Sequence, residues 1–319
     1  MARVAIIVLL TILFTTHSFA QERYSSTLFD EISIETYTYA TKNGEELKLD
    51  IYLPQNDADT SRATLIYLHG GGFSTGTRDS EKIVEFCNRL AGYGYVVVSM
   101  SYRLTRKNTP TGFGCDCPAE DKLNTFIGSI QDIQDASFFL VENRAQFGIN
   151  PQKLILAGSS AGAEAALNAA YQPPMCYGLD SGPVSYAGVI SMAGAIPDTV
   201  VIYEESAIPS LFFHGTDDNL VPYATAPHRY CQKSEPGYLL LNGPHTIVQK
   251  LDKLHTPYWL HTTCGGAHEI SDLPMTEYFD VITEFCQRFV INNEKKSVKT
   301  IVEGKQKGGI FGEYDFCNN

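Results

Sequence analysis

Two kinds of segment alternate along the chain, and their order predicts a mostly parallel β-sheet. Short runs that are almost wholly apolar recur along the sequence, and most are separated by stretches with apolar residues at helical spacing. Such runs are typical of strands buried on both faces of a parallel sheet, and the stretches between them are typical of covering helices. The predicted strands are 63–68, 95–100, 154–157, 186–192, 209–213 and 257–263, the last of the sheet. The predicted helices are 79–92, 124–147, a segment starting at 161, 246–254 and 275–292.

A different pattern near the start of the chain predicts an antiparallel hairpin. Residues 31–39 and 46–53 each alternate between apolar and polar side chains, as strands with one buried face do. Asn43-Gly44 lies between them, and this dipeptide is the strongest short turn signal for a two-stranded hairpin. We therefore expect an α/β fold whose central sheet has helices on both faces and a β-hairpin at its N-terminal side.

The first twenty residues have the pattern of a cleaved secretory signal peptide. Arg3 precedes an apolar core at 4–14, and the small residues of Ser18-Phe19-Ala20 form a cleavage site. The apolar core is too short to span a bilayer, and no later stretch reaches that length. We expect a secreted or periplasmic protein without stable membrane insertion. The remaining chain predicts one domain at 24–292 and a polar surface tail at 293–319.

The candidate nucleophile lies where the strand 154–157 meets the alanine-rich helix. The sequence there is Gly158-Ser159-Ser160-Ala161-Gly162, a Gly-x-Ser-x-Gly pentapeptide. A turn this tight accepts only small residues beside the serine, and it holds the Ser160 hydroxyl out of the sheet over the helix N-terminus. The pentapeptide alone also occurs by chance in glycine-rich loops, so the prediction depends on partners elsewhere in the chain.

Acyl transfer by a serine requires a base, an acid that orients the base, and donors for the oxyanion. Among the histidines, His268 is the candidate base because it follows the last predicted strand in a glycine-rich loop, whereas His69 and His214 are expected to brace loops. The acid is Asp217 or Asp218, since only one of two adjacent carboxylates can face the imidazole. The other is expected to cap the next turn or to face solvent.

Three glycines directly after the strand 63–68 are candidates for the oxyanion donors. Gly70, Gly71 and Gly72 carry no side chains, so their backbone N–H groups are able to approach a ligand closely. Backbone N–H groups in this position stabilise the negative charge that develops during acyl transfer. A plain flexible loop is the alternative, but the position immediately after a buried strand argues against it.

These motifs resemble those of the α/β-hydrolase superfamily. Within this superfamily they are most similar to the esterase and lipase group, which has His-Gly-Gly-Gly before the serine pentapeptide. The chain looks most like secreted bacterial carboxylesterases grouped with acetyl-xylan and feruloyl esterases. The resemblance covers about residues 30–292. It implies that Asp218 is the acid, that Gly71, Gly72 and Ala161 donate to the oxyanion, and that no cofactor or metal is needed. The motifs that carry it are His69-Gly70-Gly71-Gly72-Phe73, Ser101-Tyr102-Arg103-Leu104, the Ser160 pentapeptide, 214–222 and Gly265-Gly266-Ala267-His268.

Two positions depart from the pattern of this group. Glu164 stands four residues after the nucleophile, where relatives often have a small residue, and it is interpreted as a solvated helix position or as a shaper of the site. The segment 223–245 is longer than expected between acid and base, so it is a candidate to line the substrate site. The stretch 194–209 is too short for a helical lid. We therefore expect no large cap and an open cleft, suited to acyl groups on a carrier such as a polysaccharide.

The expected function is that of a serine carboxylesterase acting on short-chain acyl esters, such as acetyl or feruloyl groups on plant polysaccharide. A serine peptidase of the same fold is the first alternative, although such enzymes usually carry an extra domain. A non-catalytic binding protein on this scaffold is the second, although every member of the triad is present. The oligomeric state stays open.

Charge and cysteine content narrow the remaining classes. The formal net charge of −12 makes nucleic acid an unfavourable partner, because phosphates repel an acidic protein. Eight cysteines outside the cytoplasm favour disulfides. Cys231 and Cys264, both between the candidate acid and base, are the pair to test first. A zinc site is disfavoured because Cys115-Asp116-Cys117 is too tight for ligand spacing.

Overall fold

The computed structural model describes residues 23–171, 184–304 and 316–317, and its described part is built on a nine-stranded sheet. The spatial order of the strands is β1-β2-β4-β3-β5-β6-β7-β10-β11. The predicted signal peptide lies outside the described residues. The strands of this sheet are β1 Ile32–Lys42, β2 Glu45–Pro54, β3 Arg62–Leu68, β4 Val96–Met100, β5 Ile149–Ser159, β6 Gly188–Met192, β7 Ser210–Gly215, β10 Tyr258–Cys264 and β11 Val298–Glu303. A separate two-stranded sheet pairs β8 Thr225–Pro227 with β9 Leu240–Asn242.

Every pairing from β4 across to β11 is parallel, and the antiparallel pairings lie at the other edge. There, β1 pairs with β2 and β2 pairs with β4, both antiparallel. The predicted hairpin is confirmed, with Asn43-Gly44 at its turn. Both residues of the turn have positive φ, 53° for Asn43 and 84° for Gly44, which Asn and Gly tolerate best.

The helices cover both faces of the sheet, as the apolar patterns predict. Along β5, Leu154 and Leu156 pack into one core, while Ile155 and Ala157 pack into the other. Successive side chains of a strand point to opposite faces, so this alternation requires helices on both sides. The α-helices are α1 Glu81–Gly92, α2 Ala119–Glu142, α3 Arg144–Phe147, α4 Ala161–Tyr171, α5 Pro244–Lys253 and α6 Phe279–Phe285. In the part of the chain with described coordinates, none of these helices is long and apolar enough to cross a membrane.

The helix boundaries differ most from the predicted ones in the segments predicted at 124–147 and 275–292. Helix α2 begins at Ala119, five positions before the predicted start at 124, and a break at Asn143 separates it from α3. The helix predicted at 275–292 is divided into a 3₁₀ turn at Leu273–Met275, helix α6, and a π-helical turn at Cys286–Ile291. Its apolar face is nevertheless buried, because Phe279, Phe285 and Phe289 all lie in the core.

The prediction that 257–263 forms the last strand is wrong, and so is the prediction of a surface tail for 298–303. That segment is β11, which pairs in parallel with β10 at the edge of the sheet. Every second side chain is exposed, but these positions are Lys299, Ile301 and Glu303, so polar and apolar residues do not alternate along the strand. The sequence of such an edge strand resembles that of a polar tail. Its lysine and glutamate side chains are in water, and its burial has a period of two that its residue types do not show. The Trp259 indole N–H donates to Thr300 Oγ1 across this edge, at 2.9 Å.

Candidate active site

The serine pentapeptide forms the corner between β5 and α4 that its sequence predicts. Ser160 has a φ of 52°, in the left-handed region that few non-glycine residues adopt. A Cβ on Gly158 would lie 2.3 Å from the Gly162 carbonyl oxygen, and a Cβ on Gly162 would lie 2.2 Å from the Leu68 oxygen. Both distances are far below van der Waals contact. Only glycine therefore fits on either side, and the turn holds the Ser160 side chain at the carboxyl end of the sheet.

The structure brings Ser160, His268 and Asp218 into one hydrogen-bonded chain. Ser160 Oγ lies 2.8 Å from His268 Nε2, and His268 Nδ1 lies 2.7 Å from Asp218 Oδ2. Asp218 is fully buried, whereas the His268 side chain is 19% exposed. If His268 Nδ1–H donates to the carboxylate, Nε2 is free to accept the serine proton. This is the arrangement in which a histidine acts as a general base.

Asp218 is held as an anion by the groups around it. Its Oδ1 atom accepts from the backbone N–H groups of Leu220 and Val221, at 2.9 and 3.0 Å. Burial raises the pKa of Asp218, but hydrogen bonds from His214 and His268 outweigh burial and bring the pKa below its ordinary value. The carboxylate is thus ionised and fixed in orientation.

Asp217 makes no hydrogen bond or ion pair with His268, and of its two expected roles the structure supports a partly solvent-facing side chain and not a turn cap. Its Oδ1 atom accepts from the neighbouring Thr216 hydroxyl at 3.1 Å, and the side chain is partly exposed. The turn that follows is capped by Asp218 itself. One carboxylate therefore both caps the turn and orients the imidazole.

The glycine loop after β3 lies in the same cleft as Ser160. Gly71, Gly72 and Ala161 all line this cleft. The φ angles of Gly71 and Gly72 are 120° and 59°, values that favour glycine. The Gly71 carbonyl accepts from the N–H groups of Ser74 and Thr75, which closes the loop into a tight turn. No backbone carbonyl of the described residues accepts from the Gly71 or Gly72 N–H, so both groups are available to a ligand.

His69 and His214 brace loops, as predicted. The His69 ring is stacked on Tyr102 with centroids 4.6 Å apart, and its Nδ1 lies 2.7 Å from the Gly70 carbonyl oxygen. Burial lowers the pKa of His69, which favours the neutral ring. His214 Nε2 lies 2.9 Å from the Val221 carbonyl oxygen. These contacts hold the glycine loop and the acid loop in place around the serine.

The cleft has a volume of about 420 Å³ and includes residues that the sequence did not identify. His228 and Arg229 line it, so the segment 223–245 contributes to the cleft, as expected. No sequence signal pointed to these two residues, because their loop is placed by tertiary contacts. Glu164 also lines the cleft and is only 2% exposed, so its interpretation as a solvated position is wrong.

Glu164 and His228 are both held towards their neutral forms. Burial raises the pKa of Glu164 to about 8, although Arg229 and Lys122 act in the opposite direction. Burial lowers the pKa of His228 well below its usual value, and the nearby cations Lys122 and Arg229 lower it further. Glu164 Oε1 lies 3.9 Å from His228 Nε2, too far for a hydrogen bond.

Two disulfides lie next to the site, and the proposed Cys231–Cys264 pair is not one of them. Cys115 is bonded to Cys231, and Cys264 is bonded to Cys317. The first bond joins the loop after β4 to the segment that carries Arg229. The expected pair rested on the positions of Cys231 and Cys264 between the acid and the base in the sequence. Sequence position does not determine the distance between two cysteines in the fold, so the expectation was wrong. Among the described cysteines, the free and buried ones are Cys87, Cys117 and Cys286.

Part of the chain matches a known family and several curated proteins. Residues 49–176 match the family described as BD-FAE. Ethyl acetate hydrolase of Pseudomonas putida is 33% identical over 136 residues, and arylacetamide deacetylase-like 2 of Homo sapiens is 30% identical over 148. These alignments cover 42% and 45% of this chain. They span only 37% and 31% of the length of those two relatives.

The whole architecture is similar to that of a solved thermophilic esterase from Thermogutta terrifontis. Its butyrate-bound structure has a TM-score of 0.60 and 19% identity, covering 82% of this chain and 94% of that one. The apo form of the same esterase has the same TM-score at 18% identity, covering 83% of this chain and 96% of the other. This likeness and the sheet topology show that the chain has the α/β-hydrolase fold, with a mostly parallel sheet between helices.

Proposed function

We propose that this protein is a serine carboxylesterase that hydrolyses short-chain acyl esters. The observation that carries the proposal is the hydrogen-bonded chain from Ser160 Oγ through His268 to buried Asp218, beside a glycine loop with free N–H groups. The names of the matched relatives, which include an ethyl acetate hydrolase, an esterase and a lipase, support the same reaction class.

The reaction follows from the roles that this geometry allows. Ser160 Oγ attacks the ester carbonyl while His268 Nε2 takes the hydroxyl proton, and the carbonyl oxygen becomes an oxyanion. The N–H groups of Gly71, Gly72 and Ala161 donate to that oxyanion. His268 then returns the proton to the departing alcohol, which leaves an acyl group on Ser160. Water, deprotonated by His268, attacks this acyl-enzyme, and the acid product and free Ser160 result.

The proposed substrates are acetyl or feruloyl groups carried by plant polysaccharide. Between β6 and β7, the described chain contains only a 3₁₀ turn at Thr199–Val201, so no helical lid covers the cleft from this segment. Ser160 and His268 are both partly exposed. An open cleft admits an ester on a large carrier, whereas a closed cavity would admit only a free small molecule.

Hydrolysis of 4-nitrophenyl esters from acetyl to long-chain acyl by the purified protein tests the proposal. Activity on acetyl and butyryl esters that disappears in Ser160→Ala, and persists in the surface control Ser61→Ala, supports the esterase. Paraoxon, an organophosphate that phosphorylates activated serines, should label wild type once, at Ser160, in a peptide map. A folded wild-type protein without hydrolysis or labelling would overturn the proposal, and hydrolysis of peptides alone would favour the peptidase.

The proposed location is outside the cytoplasm, secreted or periplasmic. The support is the sequence pattern of residues 1–20 together with two disulfides, which form in oxidising compartments. Expression of the full chain in a bacterial host, followed by N-terminal sequencing of the extracellular and periplasmic fractions, should give a chain that begins at Gln21. Recovery of uncleaved protein in the cytoplasm would contradict this location.

A further inference from the structure

One wall of the cleft carries a cation beside the glycine loop. Arg229 lines the cleft, and its Nη2 atom lies 3.8 Å from the position that a Cβ on Gly72 would occupy. Gly72 is one of the proposed oxyanion donors. The guanidinium therefore borders the space in which the carbonyl of a bound ester would lie.

Arg229 has no acidic partner within the described residues. No carboxylate oxygen of that part of the chain lies within 4.0 Å of its guanidinium nitrogens, and its buried Nε atom has no hydrogen-bond acceptor. A guanidinium keeps its charge at every pH that proteins tolerate, and its fork of donors matches the geometry of a carboxylate. A charged guanidinium that lines a cleft and has no acidic partner is suited to bind an anion.

The Glu164 carboxyl group, which also lines the cleft, does not neutralise this cation near pH 7. Glu164 is buried beside Arg229, its Oε1 atom has no hydrogen-bond partner, and its raised pKa favours the uncharged acid. His228 on the same wall is held neutral. Lys122 is a second cation near Glu164 and His228, and its Nζ donates to the Gly237 carbonyl oxygen at 2.7 Å. Among Glu164, His228 and Arg229, the guanidinium is thus the charged group near pH 7, in a protein whose net charge is −12.

The backbone around Arg229 is held in a conformation that side chains rarely adopt. Arg229 and its neighbour Tyr230 both have a φ of 54°, in the left-handed region. The Arg229 N–H donates to the Leu220 carbonyl at 3.0 Å, and the Cys115–Cys231 bond fixes the chain two residues later. Strained backbone that is held this firmly is characteristic of ligand-binding positions. This backbone conformation keeps the Arg229 guanidinium at the cleft, although no salt bridge holds the guanidinium there.

We propose that Arg229, with the adjoining side chains of Glu164 and His228, forms a subsite that binds a carboxylate on the ester substrate. This inference rests on the proposed esterase activity and specifies its substrate class as esters that carry a second, ionised carboxyl group. That group belongs either to the acyl portion, as in a dicarboxylic half-ester, or to the alcohol portion. An ion pair with the guanidinium holds the substrate while the ester carbonyl faces Ser160.

Matched pairs of neutral and anionic esters test the subsite. On the acyl side, monomethyl adipate is compared with methyl hexanoate, because the two acyl chains have equal length. On the alcohol side, 4-acetoxybenzoate is compared with 4-acetoxybenzamide. Proton release measures kcat/KM for each ester. We expect wild type to prefer the anionic member of one pair, and the pair identifies the side of the ester that contacts Arg229.

The Arg229→Gln variant should lose about 10- to 100-fold in kcat/KM on the preferred anionic ester, mainly through KM, as expected for one charge-assisted contact. Its kcat/KM on the neutral partner should fall by a clearly smaller factor, since only the charged ester loses an ion pair. Arg229→Lys should recover part of the loss. Arg144→Gln, at an exposed arginine on α3, is the matched control and should leave both esters unaffected. Equal losses on both esters, or no loss, would overturn the subsite.

A binding measurement separates failure of the subsite from failure of the esterase. Ser160→Ala protein, with and without Arg229→Gln, is titrated with monomethyl adipate, methyl hexanoate and the two aryl acetates in a calorimeter. Tighter binding of an anionic ester that depends on Arg229 supports the subsite even if wild type hydrolyses none of them. Equal binding of neutral and anionic esters contradicts it, even if wild type is an active esterase.

Discussion

His214 Nε2 lies 3.4 Å from Asp218 Oδ2, the same oxygen that contacts His268 Nδ1 at 2.7 Å. The carboxylate is thus surrounded by two imidazoles and by the two backbone N–H groups that point at its other oxygen. Donors from four directions stabilise the charge of a fully buried acid. They also prevent the side chain from rotating away from His268.

Exchange of Asp218 for its uncharged isostere should therefore remove most of the activity. We expect Asp218→Asn to lower kcat on 4-nitrophenyl acetate by about 10⁴-fold, because an amide favours the wrong histidine tautomer and cannot stabilise the imidazolium. The matched control is Asp217→Asn, which changes the adjacent carboxylate and should alter kcat by less than about 3-fold. A larger loss in Asp217→Asn than in Asp218→Asn would exclude Asp218 as the acid.

The buried Glu164 should make the protein less stable as pH rises. Its folded-state pKa of about 8 lies above the ordinary value of 4.5, so the folded protein binds this proton more tightly than the unfolded chain. The stabilisation is fully present below pH 4.5 and is lost as pH rises through about 8, by about 5 kcal/mol at most. Urea unfolding of wild type and Glu164→Gln at pH 5 and pH 8 measures this difference.

We expect Glu164→Gln to lose less stability between these two pH values than wild type does. Equal pH dependence in the two proteins would show that Glu164 titrates near its ordinary value. The charged and titratable groups that act on Glu164 are Lys122, Asp218, His228 and Arg229.

The preference for an anionic ester should fall at high pH. When Glu164 loses its proton near pH 8, its negative charge next to Arg229 reduces the attraction for a carboxylate. The ratio of kcat/KM values for the anionic and the neutral ester measures the effect, because a change in the shared catalytic groups affects both esters equally. Wild type should lose preference between pH 7 and pH 9, whereas Glu164→Gln should keep it. A constant ratio in wild type would contradict this coupling.

A side chain at Gly162 should disrupt the serine corner. An added Cβ would lie 2.2 Å from the Leu68 carbonyl oxygen and 2.5 Å from that of His69, both in backbone that cannot easily move. We expect Gly162→Ala to lower the free energy of unfolding by about 1 to 3 kcal/mol and to reduce activity by displacing Ser160. Gly114→Ala is the control, because a Cβ there meets nothing within 4 Å. Full activity in Gly162→Ala would show that the corner adapts.

Removal of the Cys115–Cys231 bond should weaken both folding and the Arg229 subsite. The bond closes a loop with a sequence separation of 116 residues, and its loss should cost about 2 to 4 kcal/mol of unfolding free energy. The double variant Cys115→Ala/Cys231→Ala should also lose preference for the anionic ester, since Arg229 is close to Cys231. Cys117→Ala changes a free buried cysteine in the same loop and should keep that preference. Chemical denaturation and the paired-ester assay measure both effects.

The sequence was sufficient for the parts of the protein that have local signals. Alternating apolar runs indicated the parallel sheet, and strand-end motifs indicated Ser160, Asp218 and His268, which lie in hydrogen-bond contact. The distinction between Asp217 and Asp218 came from the resemblance to known hydrolases. Their residue types alone are equivalent, and the folded turn places Asp218 against His268.

The features that were missed depend on contacts between distant segments. Strand β11 has a weak apolar period because it lies at an edge, and its pairing with β10 gives no local signal. Arg229 reaches the cleft because of a left-handed backbone and a disulfide to Cys115, neither of which follows from nearby residues. Glu164 on helix α4 meets the same loop, with its Oε1 atom 3.9 Å from His228 Nε2.

The order of strands in the sheet makes the two contacts of His268 unequally vulnerable to heat. Strands β7 and β10, which precede Asp218 and His268, are direct neighbours, whereas β5, which precedes Ser160, is separated from β7 by β6. The serine contact therefore depends on three successive strand interfaces, and the aspartate contact on one. Small shifts at the three interfaces between β5 and β10 add up in the distance between Ser160 and His268. On warming, catalysis should therefore fail before the sheet unfolds, while the His268 imidazole is still bound to the Asp218 carboxylate.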